Sequence, residues 1–331
     1  MAITLAEAKV GMADKVVQSV IDMFQRSSLL LDRLTFDDSI SPGTGGSTLT
    51  YGYVQLLTPS QAAVRSINNE YTPGEAKRTK KTTNAIIMGG SFQVDRVLQN
   101  TSGAVDELAF QAEQKIKATA NYFHNCVING AATTPASGFV AGTFDGLRKL
   151  LAGTSNEFTS DTSIVSSSDM DSNGQAFLDE VDRLVASIDG NCDMLMMNQK
   201  MLLKLRSLAR RAGYYERTKD DFGRFVDTFA GVPMVDLGKF YNGNASVDVV
   251  ETSAATASAT GKTSIFAVSL GLDGFHGISP MGGKVIDSYM PDMKKPGAVK
   301  TGEVELVAGV ALKNTLKAAV LKDIQITPMT T

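Results

Sequence analysis

The sequence predicts an α+β chain assembled from dissimilar parts, and three observations predict it. An apolar 3–4 spacing runs from Val105 to Val127 without a break. Two extended stretches, around 49–54 and from Asn84 onward, flank a polar excursion. Helical and strand patterns alternate through 171–275.

Taken in order, Thr4 and Glu7 form a T-x-x-E capping box, so a helix is expected from near Leu5. Val16, Val17, Val20, Ile21 and Phe24 give it an apolar face, and Gly11 weakens its first half. This segment reads as an arm that must dock on something. The breaker cluster SPGTGGS (41–47) ends it. Leu49, Tyr51 and Tyr53 then alternate with Thr50 and Val54, the pattern of a strand. A second extended stretch starts at Asn84, where Gly89-Gly90 suggests a bulge or bend. The simplest reading is a long two-stranded ribbon with Lys77, Arg78, Lys80 and Lys81 near its tip, beside a turn at Pro73-Gly74. A bare ribbon is marginal in water, so this one is expected to lean on something outside itself.

The strongest helix follows. Leu108, Ala112, Ile116, Ala120, Phe123 and Val127 share a face, Asp106 and Glu107 sit at its start, and Gly130 is a plausible stop. FDGLRKLL (144–151) begins a short helix, and the Ser/Asp-rich stretch 155–174 reads as a linker. Phe177, Val181, Leu184, Val185 and Ile188 mark an amphipathic helix, CDMLMMN (192–198) a buried strand, and Met201, Leu202, Leu205 and Leu208 another helix. The end of the chain is extended, with turn signals at Gly282-Gly283 and Pro296-Gly297.

Composition excludes several classes. The formal net charge of -3 argues against a dedicated nucleic-acid binder. The absence of Trp removes the best stacking residue of single-strand binders. Cys126 and Cys192 cannot make a disulfide framework and are expected to be reduced. The opening MAITLAEAKVGMADK lacks a basic region followed by an apolar core and is not expected to be a signal peptide. No apolar run approaches the length of a membrane span.

No motif carries chemistry. TASATGKTS (256–264) approaches a phosphate loop, yet Thr256 stands where glycine is needed and a strand pattern follows it. His124 and Cys126 are two apart on a helix and do not share a face. His276 stands alone, and Ser279 in GISPM lacks the second glycine of a nucleophile elbow. No catalytic, cofactor or metal site is expected.

What remains is an order of parts. LLLDRLTFDDSI…TLTYGYV runs an arm into a ribbon, AAVRSINNEYTPGEAKRTKKTTNAIIMGGSFQVDRVL makes its tip and return, VDELAFQAEQKIKATANYFHNCVING is a spine helix, and VELVAGVALKNTLKAAVLKDIQI closes the chain. That order resembles the major capsid proteins of tailed bacteriophages, a fold shared with encapsulin shells. The resemblance implies an N-terminal arm (1–47), an extended loop (48–100), a peripheral domain with the spine helix (101–170), an axial domain (171–275) and a return to the peripheral domain (276–331). It implies a structural subunit that forms pentamers and hexamers of an icosahedral shell, located in the virion and in the host cytoplasm during assembly. Packaged double-stranded DNA would be contacted non-specifically, and scaffold, portal and decoration proteins are possible partners; a membrane is not. Lys77, Arg78, Lys80 and Lys81 would contact a neighbouring subunit. Some family members cross-link a loop Lys to a peripheral Asn, for which Lys80 or Lys81 with Asn314 are the nearest candidates. Two alternatives stay open: an encapsulin-like compartment subunit, and an α+β enzyme without a recognisable site.

Overall fold

The structure, a computed structural model, describes residues 29–38, 49–58, 60–101, 106–133, 138–213, 216–219, 225–256, 259–280, 287–292 and 294–329. The capping box at Thr4, the apolar face at Val16–Phe24 and the turn at Gly282-Gly283 lie outside the described residues.

Along the chain, α1 (Leu29–Arg33) and β1 (Phe36–Asp38) precede the ribbon strands β2 (Thr50–Thr58) and β3 (Lys77–Asn84). Then come β4 (Ile86–Asp95), α2 (Arg96–Thr101) and the spine helix α3 (Glu107–Asn129). The short elements β5 (Gly130–Ala131), β6 (Val140–Ala141), α4 (Leu147–Leu150) and β7 (Glu157–Thr159) lead to α5 (Ser167–Ala186), β8 (Met194–Met197) and α6 (Gln199–Ala212). Strands β9 (Glu216–Lys219), β10 (Phe225–Phe229), β11 (Val232–Asp236), β12 (Lys239–Tyr241), β13 (Ser246–Asp248) and β14 (Gly261–Val268) follow. The chain closes with β15 (Phe275–Ser279), β16 (Asp287–Tyr289), β17 (Val299–Leu312) and β18 (Ala318–Thr327).

Two sheets organise these elements. A seven-stranded sheet has the order β7-β18-β14-β8-β11-β10-β9. Helices α5 and α6 bury Phe177, Val181, Leu184, Met201, Leu205 and Leu208 in a core with its Ile265, Ala267 and Leu321. A five-stranded sheet has the order β1-β15-β17-β16, with β4 also paired to β17. The spine helix covers one face of β4 and β17. Leu108, Ala112 and Ile116 meet Phe92, Val94 and Val304 near its start. Phe123, Cys126 and Val127 meet Met88, Leu306 and Val310 further along. Asp106 caps the helix by accepting from the amides of Leu108 and Ala109 at 3.1 and 3.2 Å, and Gly130 ends it.

Three sequence expectations need correction. Helix α5 begins inside the stretch expected to be a linker, ten residues before Phe177. Ser166 and Asp169 form a reciprocal capping box there, and this local signal outweighs the polar composition. The closing strands divide: β17 joins the five-stranded sheet and β18 the seven-stranded one, separated at Thr315–Lys317. Gly89-Gly90 makes no bulge. The β4–β17 register runs unshifted from Asp95 to Ile86 through both glycines. Glycine is needed at 89 because φ is +154° and a Cβ would lie 2.0 Å from the carbonyl oxygen of Val304.

The ribbon is an extension of this sheet. β3 and β4 are separated only by Ala85, whose amide donates to the Leu49 carbonyl at 2.7 Å. Thr83 Oγ1 donates to the Val310 carbonyl at 3.0 Å, and Tyr53 is buried with Ala85, Ile278 and Ala311. The Tyr51 hydroxyl donates to Asp37 Oδ2 at 2.6 Å, with Lys313 Nζ 3.7 Å from the same oxygen. Burial pushes the Asp37 pKa up, but hydrogen bonds from Tyr51 and the Asp38 amide, with the charge of Lys313, hold it below the ordinary value on balance. Residues far apart in sequence therefore fix the direction in which the ribbon leaves the sheet.

Two predictions follow from this packing. Gly89→Ala destabilises the fold by about 2 kcal/mol or more, read as a lower midpoint in urea, because the blocking atom is backbone. Tyr51→Phe costs only about 1 kcal/mol at this half-exposed site, but raises amide exchange in 50–58 and 77–84. Because the folded pKa of Asp37 is depressed, its contribution is complete above about pH 4 and lost as pH falls through the folded value. Protection factors at the wild-type ribbon root, corrected for the intrinsic exchange rate at each pH, therefore fall on acidification, and in Tyr51→Phe that fall is smaller.

Candidate assembly interface

The four cations singled out in the sequence sit on β3. Lys77 pairs in register with Thr58, Arg78 with Leu56, Lys80 with Val54 and Lys81 with Tyr53. The sequence placed them near the tip, with the return strand starting at Asn84. In the structure they are the return strand, and 60–76 makes the tip. The strand was missed because it has no apolar alternation: residues 77–84 are exposed or half-buried throughout. Its Thr residues favour extended backbone, and its lysines keep a free edge from pairing with other strands.

All four cations are exposed, and among the described residues none has a carboxylate or hydrogen-bond partner. The pleat sends Arg78 and Lys80 to one side of the ribbon, with Val54, and Lys77 and Lys81 to the other. The tip is locally ordered. Ser60 Oγ donates to the Gly74 carbonyl at 3.2 Å, Arg65 stacks 5.5 Å from the Tyr71 ring, and Asn68 takes a left-handed φ of +66°. Ile67, 90% exposed, and Val64 stand out into solvent.

The other sequence candidates are built into the fold. His124 is fully buried in α3, and burial pushes its pKa down to about 4, so the ring is neutral. Burial pushes the Cys126 thiol up to about 12 and the Cys192 thiol up to about 11, which makes both poor nucleophiles. His276 is buried behind Tyr51, ring centroids 5.8 Å apart and edge-on. Ser279 is buried on β15 where β1 pairs with it. The end of the phosphate-loop look-alike, from Gly261, lies in β14, and Lys262 there lies 3.5 Å from Asp323. Asn314 caps a short turn, its Oδ1 accepting from the Leu316 amide at 3.0 Å. A cleft of about 530 Å³ runs beside Ile188, Cys192, Asp193 and Val232, and Asp193 in it accepts from the Leu270 amide at 2.7 Å. Among the described residues, no group of three or more His, Cys, Asp or Glu could hold a metal, and no helix is long and apolar enough to cross a membrane. The arrangement offers a contact surface rather than a reaction centre.

Comparison with known proteins gives the same direction. The SrpI encapsulin from Synechococcus elongatus PCC 7942 superposes with a TM-score of 0.60 at 13% identity, covering 100% of this chain and 99% of its own. A structure from Mycobacterium phage Ogopogo gives 0.56 at 16% identity, covering 97% of this chain and 100% of its own. The capsid of Myoviridae phage XM1 gives 0.53 at 14%, covering 98% and 99%. At such identities these matches establish the mixed α+β fold alone. No curated protein sequence matches. The sequence profile of the SU10 major capsid protein matches residues 15–240, more than half of the chain. This chain therefore belongs to the SU10 major capsid protein family: it is a structural protein of the virion capsid, not an enzyme.

Proposed function

We propose that copies of this chain close an icosahedral shell from pentamers and hexamers around packaged double-stranded DNA, with each ribbon laid across a neighbouring copy. One observation carries the reading: Lys77, Arg78, Lys80 and Lys81 stand on a ribbon that finds no partner for them among the described residues of its own copy. A protein seldom holds out a two-stranded excursion of this length unless something else supports it. The parts take the roles of arm (1–47), extended loop (48–100), peripheral domain (101–170 with 276–331) and axial domain (171–275). The spine helix on β4 and β17 supports the peripheral assignment, and the α5–α6 core supports the axial one, although its seven-stranded sheet also takes β7 and β18 from the ranges on either side. A formal net charge of -3 suits a wall that confines DNA without gripping it. Separate scaffold, portal and decoration proteins are compatible partners.

The test is to express the chain and image the high-mass fraction by negative-stain electron microscopy. Closed shells, or rings of five or six, are expected. A compact monomer that stays monomeric at high concentration, in high salt and with crowding agent overturns the reading. Replacing 59–76 with an Asn-Gly turn is expected to leave the monomer's melting temperature nearly unchanged and to remove the assembled fraction.

A further inference from the structure

The chain has two histidines, and both are buried. His124 is locked inside the spine helix. His276 lies at the ribbon root, on β15, which pairs with β1 on one side and β17 on the other. Its Nδ1 lies 3.4 Å from the Gly274 carbonyl, and its Nε2 has no hydrogen-bond partner among the described residues. Tyr51 of β2 covers the ring edge-on, centroids 5.8 Å apart. The same Tyr51 holds Asp37 through its hydroxyl, and Lys313 Nζ lies 5.5 Å from the Tyr51 ring. His276 therefore sits beneath the contact that sets the ribbon's direction.

The charged and titratable groups around this ring are Asp37 on β1, Tyr51 and Tyr53 on β2, Lys313 after β17, and Asp273 with Lys317 beside the turn into β15. Strand β3 brings Thr83 opposite Tyr51, which carries no charge. The charges cancel in pairs. Lys313 Nζ lies 3.7 Å from Asp37 Oδ2, and Lys317 Nζ lies 3.7 Å from Asp273 Oδ2. An imidazolium at 276 would be an unmatched buried charge with an N–H that reaches no acceptor. Burial, with the charge of Lys313, holds the His276 pKa below its ordinary value, against the pull of the Gly274 carbonyl, Asp37 and Asp273. The ring cannot swing out on its own strand, because β1 holds Gly277–Ser279 and β17 holds Phe275–Ile278. The cover can move instead. Lifting it gives up the Tyr51–Asp37 hydrogen bond and the small cluster of Tyr53 with Ala85, Ile278 and Ala311, and leaves both large cores intact. We propose that His276 is an acid-operated latch: protonation of its ring lifts Tyr51 and frees the ribbon strands β2 and β3 from the five-stranded sheet, while the rest of the chain stays folded. The latch goes beyond the shell reading and does not depend on it, since it acts within one copy.

Amide hydrogen exchange in the unassembled full chain tests it, with protection factors corrected for the intrinsic rate at each pH. A ring that is harder to protonate when closed than when open holds the latch fully above about pH 6.5 and loses its hold as pH falls below that. Between about pH 7.5 and 5.5, protection of 50–58 and 77–84 is expected to fall about five- to tenfold, above the range in which Asp37 titrates. Helix α5 and strand β8 are expected to keep their protection. His276→Phe and His276→Gln carry no titrating ring, and each is expected to abolish the fall, whereas His124→Gln retains it. Two replacements of different shape guard against one that fails to fold, and the wild-type comparison of ribbon with body stands without either. A merely structural role would lower ribbon protection in the variants but leave its pH dependence in place, and that result overturns the latch. Wild-type ribbon protection that is flat over this range overturns it as well. So does an equal fall in α5 and β8, because the whole chain would then be loosening.

Discussion

The structure depends on one extended run of backbone, 77–95, that belongs to two structures at once. Its first part pairs with β2 in the ribbon and its second with β17 in the sheet, with only Ala85 between. At about 3.3 Å per residue the run spans roughly 60 Å. The spine helix holds the inner part by burying Phe92 and Val94, so the core that stabilises the body also aims the ribbon. The unshifted register through Gly89 matters for the same reason. A bulge would re-aim everything beyond it.

Pre-organisation then decides what the charges can do. An exposed ion pair contributes only about 0.2–1 kcal/mol, too little to order a floppy ribbon as well as hold it in place. The root removes most of that ordering cost in advance. Tyr53 is buried, Thr83 is tied to Val310, and Tyr51 is tied to Asp37 on β1. Because β1 precedes the ribbon and pairs with β15, the chain ahead of the ribbon helps set the ribbon's angle. In the proposed shell, cations held in place by such a root add register and speed to docking, and many weak contacts add the strength.

The parts that were legible in the sequence are those with one wet face and one dry face. The spine helix announced itself by periodicity, and its start and stop fell at Asp106 and Gly130. Met194–Met197, buried on all sides, was legible as an unbroken apolar run. The basic strand was not, because both of its faces meet water and periodicity has nothing to report. The first half of α5 was hidden for a related reason. Its Ser and Asp residues are loop formers by composition, and only the Ser166–Asp169 spacing distinguishes a cap from a turn. The division of the closing strands between two sheets was out of reach, since Thr315–Lys317 looks locally like any other turn. The four cations were found by their density in the sequence, but their lack of partners among the described residues is a property of the fold.

A net charge near zero conceals this arrangement. The formal charge of -3 is a sum over the whole chain, whereas the ribbon gathers four cations within five residues. Such crowding is costly within one copy: Lys80 and Lys81 are neighbours along the chain, and Arg78 and Lys80 share one side of the ribbon. In the proposed shell, a second copy that brings the opposite sign offsets that cost. The hydrogen bonds of Ala85 and Thr83 at the ribbon root fix the direction in which the basic strand leaves the body. Docking through such charges also tolerates error, because a misplaced copy held by a few exposed ion pairs can leave before its neighbours fix it. In the proposed shell, the same charges that make the isolated chain less comfortable make a neighbour's position specific.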